Sequence, residues 1–328
     1  MDLSASGSPI TSWPWIYRQR SVGLSSSVVR QLRTRTFVQR FSFGHHYSVL
    51  HQGYTADFPD DPAARAEFAR QVFRRQGRIS ELSAGWSTFT PRYRTYRDLG
   101  TFDLREDRVL GPSASAGVTW SDGALGSERD YWYFSAAAGW AFAGLGGYQS
   151  ASASWAARLE GGKWVDQVYS VGGYAASPVI ARALRVVADA GTSVLLDPTD
   201  NSFYTLGGDN GLRGYTVGDL AGRARALAHL EVRSMPLAVL STRLGAVAFY
   251  DVGDAATPTV SGGSALGRAV RSFFQLRPKH DVGAGLRLLL PQFNSYVIRF
   301  DWAFALDDTA HTRAGWPGRI SLGFRQTF

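Results

Sequence analysis

From residue 296 to 306 the chain reads YVIRFDWAFAL. Every second side chain is large and apolar (Tyr296, Ile298, Phe300, Trp302, Phe304, Leu306), with Arg299, Asp301, Ala303 and Ala305 between them. A period of two is the pattern of a β-strand with one apolar face. It recurs in 282–290, where Val282, Ala284, Leu286, Leu288 and Leu290 oppose Gly283, Gly285 and Arg287. In 130–142 it sets Trp132, Phe134, Ala136, Ala138, Trp140 and Phe142 on one side. Similar splits run through 147–160 and through 225–233, where Ala226, Ala228, Leu230 and Val232 face away from Arg225, His229, Glu231 and Arg233. Such a chain is predicted to be all-β. Aromatics at 13%, 36 glycines and only 2 methionines agree.

A soluble sandwich alternates too, but its apolar face is the core. Two features favour the inverted arrangement of a transmembrane β-barrel. Many segments reach the roughly 10 residues needed to cross a bilayer at a tilt. Aromatics also sit at segment ends, as at Tyr131, Trp132 and Tyr133 or at Trp13 and Trp15, where an interfacial girdle places them. The opposite faces carry Arg, Asp, Glu, Ser and Gly, which suits a wet lumen. The predicted strands are 18–29, 31–44, 79–90, 109–120, 130–142, 146–160, 163–176, 180–195, 223–234, 242–252, 280–290, 295–306 and 318–328. Gly144–Gly146 and Gly161–Gly162 read as tight turns, and 45–78, 196–222 and 253–279 as loops on the opposite rim. Within the first loop, Asp61 as cap, Pro62 at the first helical position and Gly77 as stop predict a surface helix.

Other chemistries find little support. With no cysteine, disulfides, thiolate catalysis and Cys-ligated zinc are excluded. The net charge is +8, and all but two of the 35 basic residues are arginine, the exceptions being Lys163 and Lys279. Those arginines alternate with apolar residues along the whole chain and form no basic stripe, so no nucleic-acid partner is expected. No GxSxG, P-loop, GxGxxG or HExxH motif occurs, so neither an enzyme nor a cofactor is expected. His45, His46 and His51 match no standard metal-site spacing and read as part of a polar rim loop, and no metal site is expected. Asp60–Asp61 and Asp307–Asp308 fall in predicted turns, where Asp caps and solvates. The start, MDLSASGSPITSWPW, lacks the charged and apolar regions of a signal peptide.

The stretch 206–215, LGGDNGLRGY, sets Arg213 among glycines. From the residues alone Arg213 reads equally well as a solvated loop arginine, with Asp251 capping a strand. The order of motifs adds to this. GGDNGLRGY is followed by AHLEVRSMPL, GAVAFYDVGDA, DVGAGLRLLLPQFNSYVIRFDWAFAL and RISLGFRQTF. This series resembles the last five strands and preceding loop of the bacterial surface antigen superfamily, which includes BamA/TamA-type assembly factors and two-partner-secretion transporters. The resemblance is closest over 206–328, looser over 79–205, and matches no motif in 1–78. The last strand alternates Ile320, Leu322 and Phe324 and ends on Phe328, like the signal read by barrel-assembly machinery, although Gln326 departs from the usual apolar residue.

The resemblance implies an antiparallel outer-membrane barrel over 1–328, sixteen-stranded in the family, with the Gly-rich loop folded into the lumen. It implies that Arg213, flanked by Gly214 and Tyr215, pairs with Asp251 of FYDVGD, with Glu231 and Asp301 as secondary partners. A confined guanidinium needs a bidentate acceptor to offset its desolvation. Thirteen segments against sixteen, without polypeptide-transport-associated domains or a leader, imply a chain that starts inside the barrel. The alternative is a smaller barrel with strands hidden in 1–17 and 92–98. The implied function is assembly or insertion of other outer-membrane proteins, or translocation of polypeptides. The implied partners are outer-membrane lipid, unfolded outer-membrane or secreted polypeptides, and proteins of an assembly complex. A passive porin-like channel and a soluble β-rich binding protein are the competing readings.

Overall fold

The computed structural model describes residues 3, 9–10, 12–100, 102–292, 297–307 and 318–324. Its strands begin with β1 (Arg18–Arg33), β2 (Val38–Gly53), β3 (Gly77–Phe89), β4 (Arg92–Arg97), β5 (Arg105–Ser121), β6 (Tyr131–Phe142), β7 (Tyr148–Glu160) and β8 (Lys163–Ala176). They continue with β9 (Leu184–Leu196), β10 (Tyr204–Leu206), β11 (Leu220–Gly222), β12 (Ala224–Ser234), β13 (Leu237–Val239), β14 (Thr242–Ala256), β15 (Lys279–Leu289), β16 (Ile298–Ala305) and β17 (Arg319–Phe324). Two helices, α1 (Pro62–Val72) and α2 (Ala265–Phe274), lie in the connections.

The wall is one 15-stranded sheet along the path β1-β2-β3-β5-β6-β7-β8-β9-β12-β14-β15-β16-β17, each strand antiparallel to the next. The short β4 and β13 pair only with β5 and β14, and β10 with β11. The thirteen members of that path are the thirteen segments marked by alternation.

Burial is inverted relative to a water-soluble sandwich. Val28, Leu322 and Phe324 are 73%, 70% and 73% exposed, while Glu231, Asp251 and Asp301 are at 0%. Soluble proteins almost never expose such rows of apolar side chains and bury carboxylates instead. An antiparallel barrel with its apolar face outward and a polar interior does both. Among the described residues no helix is long and apolar enough to cross a membrane.

Most short connections lie on one rim and the long ones on the other, but the β7–β8 turn at 161–162 sits on the rim of the long connections 54–76, 197–223 and 257–278. Both of its glycines take positive φ (56° and 76°), as a two-residue hairpin following the sheet's twist requires. On the long-loop rim, Asp61 accepts hydrogen bonds from the Ala63 and Ala64 amides and starts α1 at Pro62. The helix ends at Val72, before Gly77, which opens β3 instead.

Several expectations need correction. The loops predicted over 45–78 and 253–279 are shorter, because β2 runs on to Gly53 and β14 to Ala256. His45, His46 and His51 therefore lie in β2, not in a rim loop. Continuous pairing with β1 and β3 carries the strand through them, and His46 Nδ1 lies 2.7 Å from Ser25 Oγ while His45 Nε2 lies 2.9 Å from Ser80 Oγ. A strand is hidden at 92–97, but it lengthens the β5 hairpin and adds nothing to the wall. Tyr296, Asp308, Gln326 and Phe328 lie outside the described residues.

That β4–β5 hairpin does not stay on its rim. Tyr174 Oη and Arg233 Nη1 donate to the Leu99 carbonyl (3.2 and 3.1 Å), and Arg185 Nη1 donates to the carbonyls of Arg97 (2.7 Å) and Asp98 (2.6 Å). Arg243 Nε donates to Asp103 Oδ2 at 2.7 Å, and Phe102 packs on Leu289 and Val297. Residues 98–100 and 102–103 thus leave β5 and meet β8, β9, β12, β14 and β15 on the inner face, crossing the lumen from the short-connection rim.

Candidate functional site

The loop 206–222 enters from the opposite rim. Its ends are pinned by the β10–β11 pair, and its tip closes on itself through Gly208 N–H to the Leu212 carbonyl (2.9 Å) and Tyr215 N–H to the same carbonyl (3.2 Å). Leu212 and Tyr215 are completely buried, and Arg213 is 1% exposed. Gly214 lets the tip lie flat on the wall. A Cβ there would stand 2.7 Å from the Ala305 nitrogen and 2.8 Å from Asp281 Cβ, closer than real Cβ contacts come. Gly211, at φ 128°, holds a conformation open to glycine at little cost.

Arg213 makes a two-pronged contact with Asp251: Nε donates to Oδ2 and Nη2 to Oδ1, both at 2.7 Å. Nη1 donates to Glu231 Oε1 at 2.6 Å and lies 3.7 Å from Asp301 Oδ2. The guanidinium carbon stands 3.4 Å from the Phe249 ring centroid, so the plane is stacked as well as hydrogen-bonded. Burial opposes the charge on Arg213, but the carboxylates of Asp251 and Glu231 more than offset it and hold its proton above the ordinary range.

The neighbours of Arg213 are backbone clamps. Gly214 N–H donates to Asp281 Oδ2 at 3.0 Å. Tyr215 Oη donates to the His280 carbonyl (3.2 Å) and to Asp307 Oδ2 (3.4 Å), and burial with the nearby Asp307 carboxylate pushes its phenol up to about 12. Arg319 of β17 donates to the Arg213 carbonyl at 3.2 Å.

The wall around this contact is a charge network. His229 Nδ1 sits 2.8 Å from Asp251 Oδ1, and because a carboxylate only accepts, the imidazole is the donor. Arg233 Nε donates to Glu231 Oε2 at 2.7 Å, and Arg287 Nη1 to Asp301 Oδ1 at 2.6 Å. Arg299 Nε lies 3.6 Å from Asp301 Oδ2. Carboxylates of Glu231, Asp251 and Asp301 thus interleave with the guanidiniums of Arg213, Arg233, Arg287 and Arg299, while Asp281 stands opposite Asp251 across the strands and accepts the Gly214 N–H. An unpaired buried charge costs several kcal/mol, roughly 3–5 when one partner is removed, so the cluster holds together as a set.

The structure brings Arg213, Gly214, Tyr215, Asp251, Glu231 and Asp301 into this one place. Sequence reading missed Asp281, Phe249, Arg287 and the arginine Arg319. Their signal was present in the inward parity of each strand, since Phe249 shares its face with Asp251 and Arg287 its face with Asp281. Ile320, Leu322 and Phe324 lie elsewhere, exposed on the outer face of β17. Among the described residues, no group of three or more His, Cys, Asp or Glu side chains is arranged to hold a metal ion.

Residues 15–328 match the family model of the Omp85 superfamily domain. A comparison with curated proteins gives no match. Among solved structures the chain is similar to CdiB from Escherichia coli, at 14% identity and a TM-score of 0.47, over 93% of this chain and 52% of that one. It is similar also to CdiB from Acinetobacter baumannii, at 13% identity and a TM-score of 0.45, over 93% and 50%. The chain spans about half the length of these structures.

Proposed function

The chain belongs to the Omp85 superfamily of outer-membrane β-barrels, and from that premise we propose that it inserts or translocates polypeptides at the bacterial outer membrane, with loop 206–222 as a latch inside its lumen. The work is non-covalent: a polypeptide displaces the latch from the inner wall, or an incoming strand pairs with an edge of the sheet. The observation that carries this reading is Arg213, a loop side chain 1% exposed and held by carboxylates of two wall strands. A permanent structural loop could be tied down by apolar packing. A cluster of hydrogen-bonded charges is strong while intact and is weakened as a unit when one member leaves.

The test is reconstitution into liposomes of wild type and Arg213→Ala, assayed separately for insertion of an unfolded outer-membrane protein and for passage of a secreted polypeptide. The reading expects the variant to keep heat-modifiable gel migration, to expose 206–222 to protease, and to lose activity with polypeptides. Unchanged protease sensitivity and activity would refute the latch. Ion conductance without any effect on polypeptides would make the protein a passive channel.

A further inference from the structure

The helix α2 carries two apolar stripes, and the barrel covers only one. Ala265, Ala269 and Leu276 pack on Val194, Leu196, Ala224 and Tyr169, all on the outward face of the wall near the long-loop rim. Arg268 fixes this docking by donating Nη1 and Nη2 to the two carboxylate oxygens of Asp197 (2.9 and 2.6 Å). The second stripe, Leu266, Val270, Phe273 and Phe274, is exposed, with Phe274 at 76%, and Phe273 reaches over the sheet below. Helical spacing puts these on one face, and among the described residues they stay exposed.

Below α2, towards the middle of the wall, the sheet has a furrow. In one row of the register Gly173 pairs with Ala190, Ala190 with Ala228, and Ala228 with Val252, so three strands present small residues side by side on the outer face. Phe273 and Pro278 overhang its upper end, and the furrow encloses about 480 Å³. Its lining offers almost no hydrogen-bonding group beyond Thr192. The segment 257–278 above it contains three arginines, Arg268, Arg271 and Arg277, and no Asp or Glu. Arg271 and Arg277 are exposed, although Arg271 also donates to the Ser261 and Gly262 carbonyls.

We propose that α2 and this furrow form a binding site for one phosphate-bearing membrane lipid, with an acyl chain along Gly173, Ala190 and Ala228 and the headgroup phosphate on Arg271 and Arg277. An amphipathic helix with arginines beside an aromatic and aliphatic face lies at the depth where headgroups meet chains. The cationic segment supplies charge complementarity for an anionic headgroup. The uncovered apolar stripe and the apolar furrow are continuous through Phe273, so headgroup and chain are held by one surface. The proposal rests on the barrel fold and not on what the barrel does with polypeptides.

Native mass spectrometry of the detergent-solubilised chain, titrated with phosphatidylglycerol or with phosphatidylcholine of the same chains, tests it. Wild type is expected to retain one phosphatidylglycerol at least about tenfold more tightly than phosphatidylcholine. The Arg271→Gln/Arg277→Gln double variant should lose that preference while still binding a chain. Ala190→Phe, or Ala228→Phe as a second furrow-filling variant, should lose both lipids while keeping heat-modifiable migration. Equal retention of the two lipids by wild type, or unchanged binding in the folded furrow-filling variants, would overturn it.

Discussion

Glu231 and Arg233 stand two residues apart on β12, and the 2.7 Å ion pair between them joins the two segments that enter the lumen. Glu231 Oε1 accepts from Arg213 of the loop above, and Arg233 Nη1 donates to the Leu99 carbonyl of the hairpin below. Each residue holds one plug and the other residue. The two plugs are therefore linked through a continuous chain of hydrogen bonds within the wall.

Arg233→Gln is expected to loosen both ends. It removes the hairpin's donor and leaves Glu231 with one guanidinium fewer, so protease cleavage should rise within 98–104 and, less strongly, within 206–222. A double-mutant cycle with Arg213→Ala, read as protection of each segment, should give a coupling energy of about 0.5–3 kcal/mol. Strictly additive effects would mean that the two plugs move independently.

Gly214→Val should release the loop as thoroughly as loss of the Arg213 charge, by a different route. The new side chain meets Ala305 backbone and Asp281 Cβ, neither of which is a flexible end that can swing aside. The expected result is loop cleavage by protease with all charges still present. A protected loop in this variant would show that the tip does not lie against β15 and β16.

The tie between Asp197 and Arg268 gives α2 a pH dependence of definite sign. The Arg268 guanidinium holds the Asp197 carboxyl below its ordinary value of 3.8. A depressed acid stabilises docking at pH above its ordinary value, and that contribution is lost as pH falls through the lower, docked value. Hydrogen-exchange protection of 265–274, corrected for intrinsic rates, should be flat from about pH 8 to about pH 5 and fall only below about 3.8. A fall between about pH 7 and about pH 5 would assign the docking to a histidine instead.

What could be read from the residues was local. Alternation within a strand is set by neighbours two positions away, so YVIRFDWAFAL and ALAHLEVR announce their faces unaided. The inward parity of Glu231, Asp251 and Asp301 followed from the same count. The hairpin at 92–104 gave no such signal. Arg233 and Leu99 are 134 residues apart, and nothing in RYRTYRDLG distinguishes a rim turn from a lumen plug. The run HHYSVLHQG misled because its polarity suggests a loop, whereas the continued ladder with β1 and β3 fixes it as strand. Asp281 went unnoticed although it shares the inward parity of Arg287. Its partner is a backbone N–H of Gly214, which no side-chain pattern records.

The absence of native cysteine makes the central claim directly measurable. Leu212, next to Arg213, is completely buried while the loop is docked. The rate at which a water-soluble maleimide labels Leu212→Cys in the folded barrel therefore reports how often the loop leaves the wall. If Arg213 holds the latch through a buried charge contact of about 3–5 kcal/mol, adding Arg213→Ala should raise that rate by about a hundredfold or more, with heat-modifiable migration unchanged. Equal labelling rates with and without Arg213 would contradict the account.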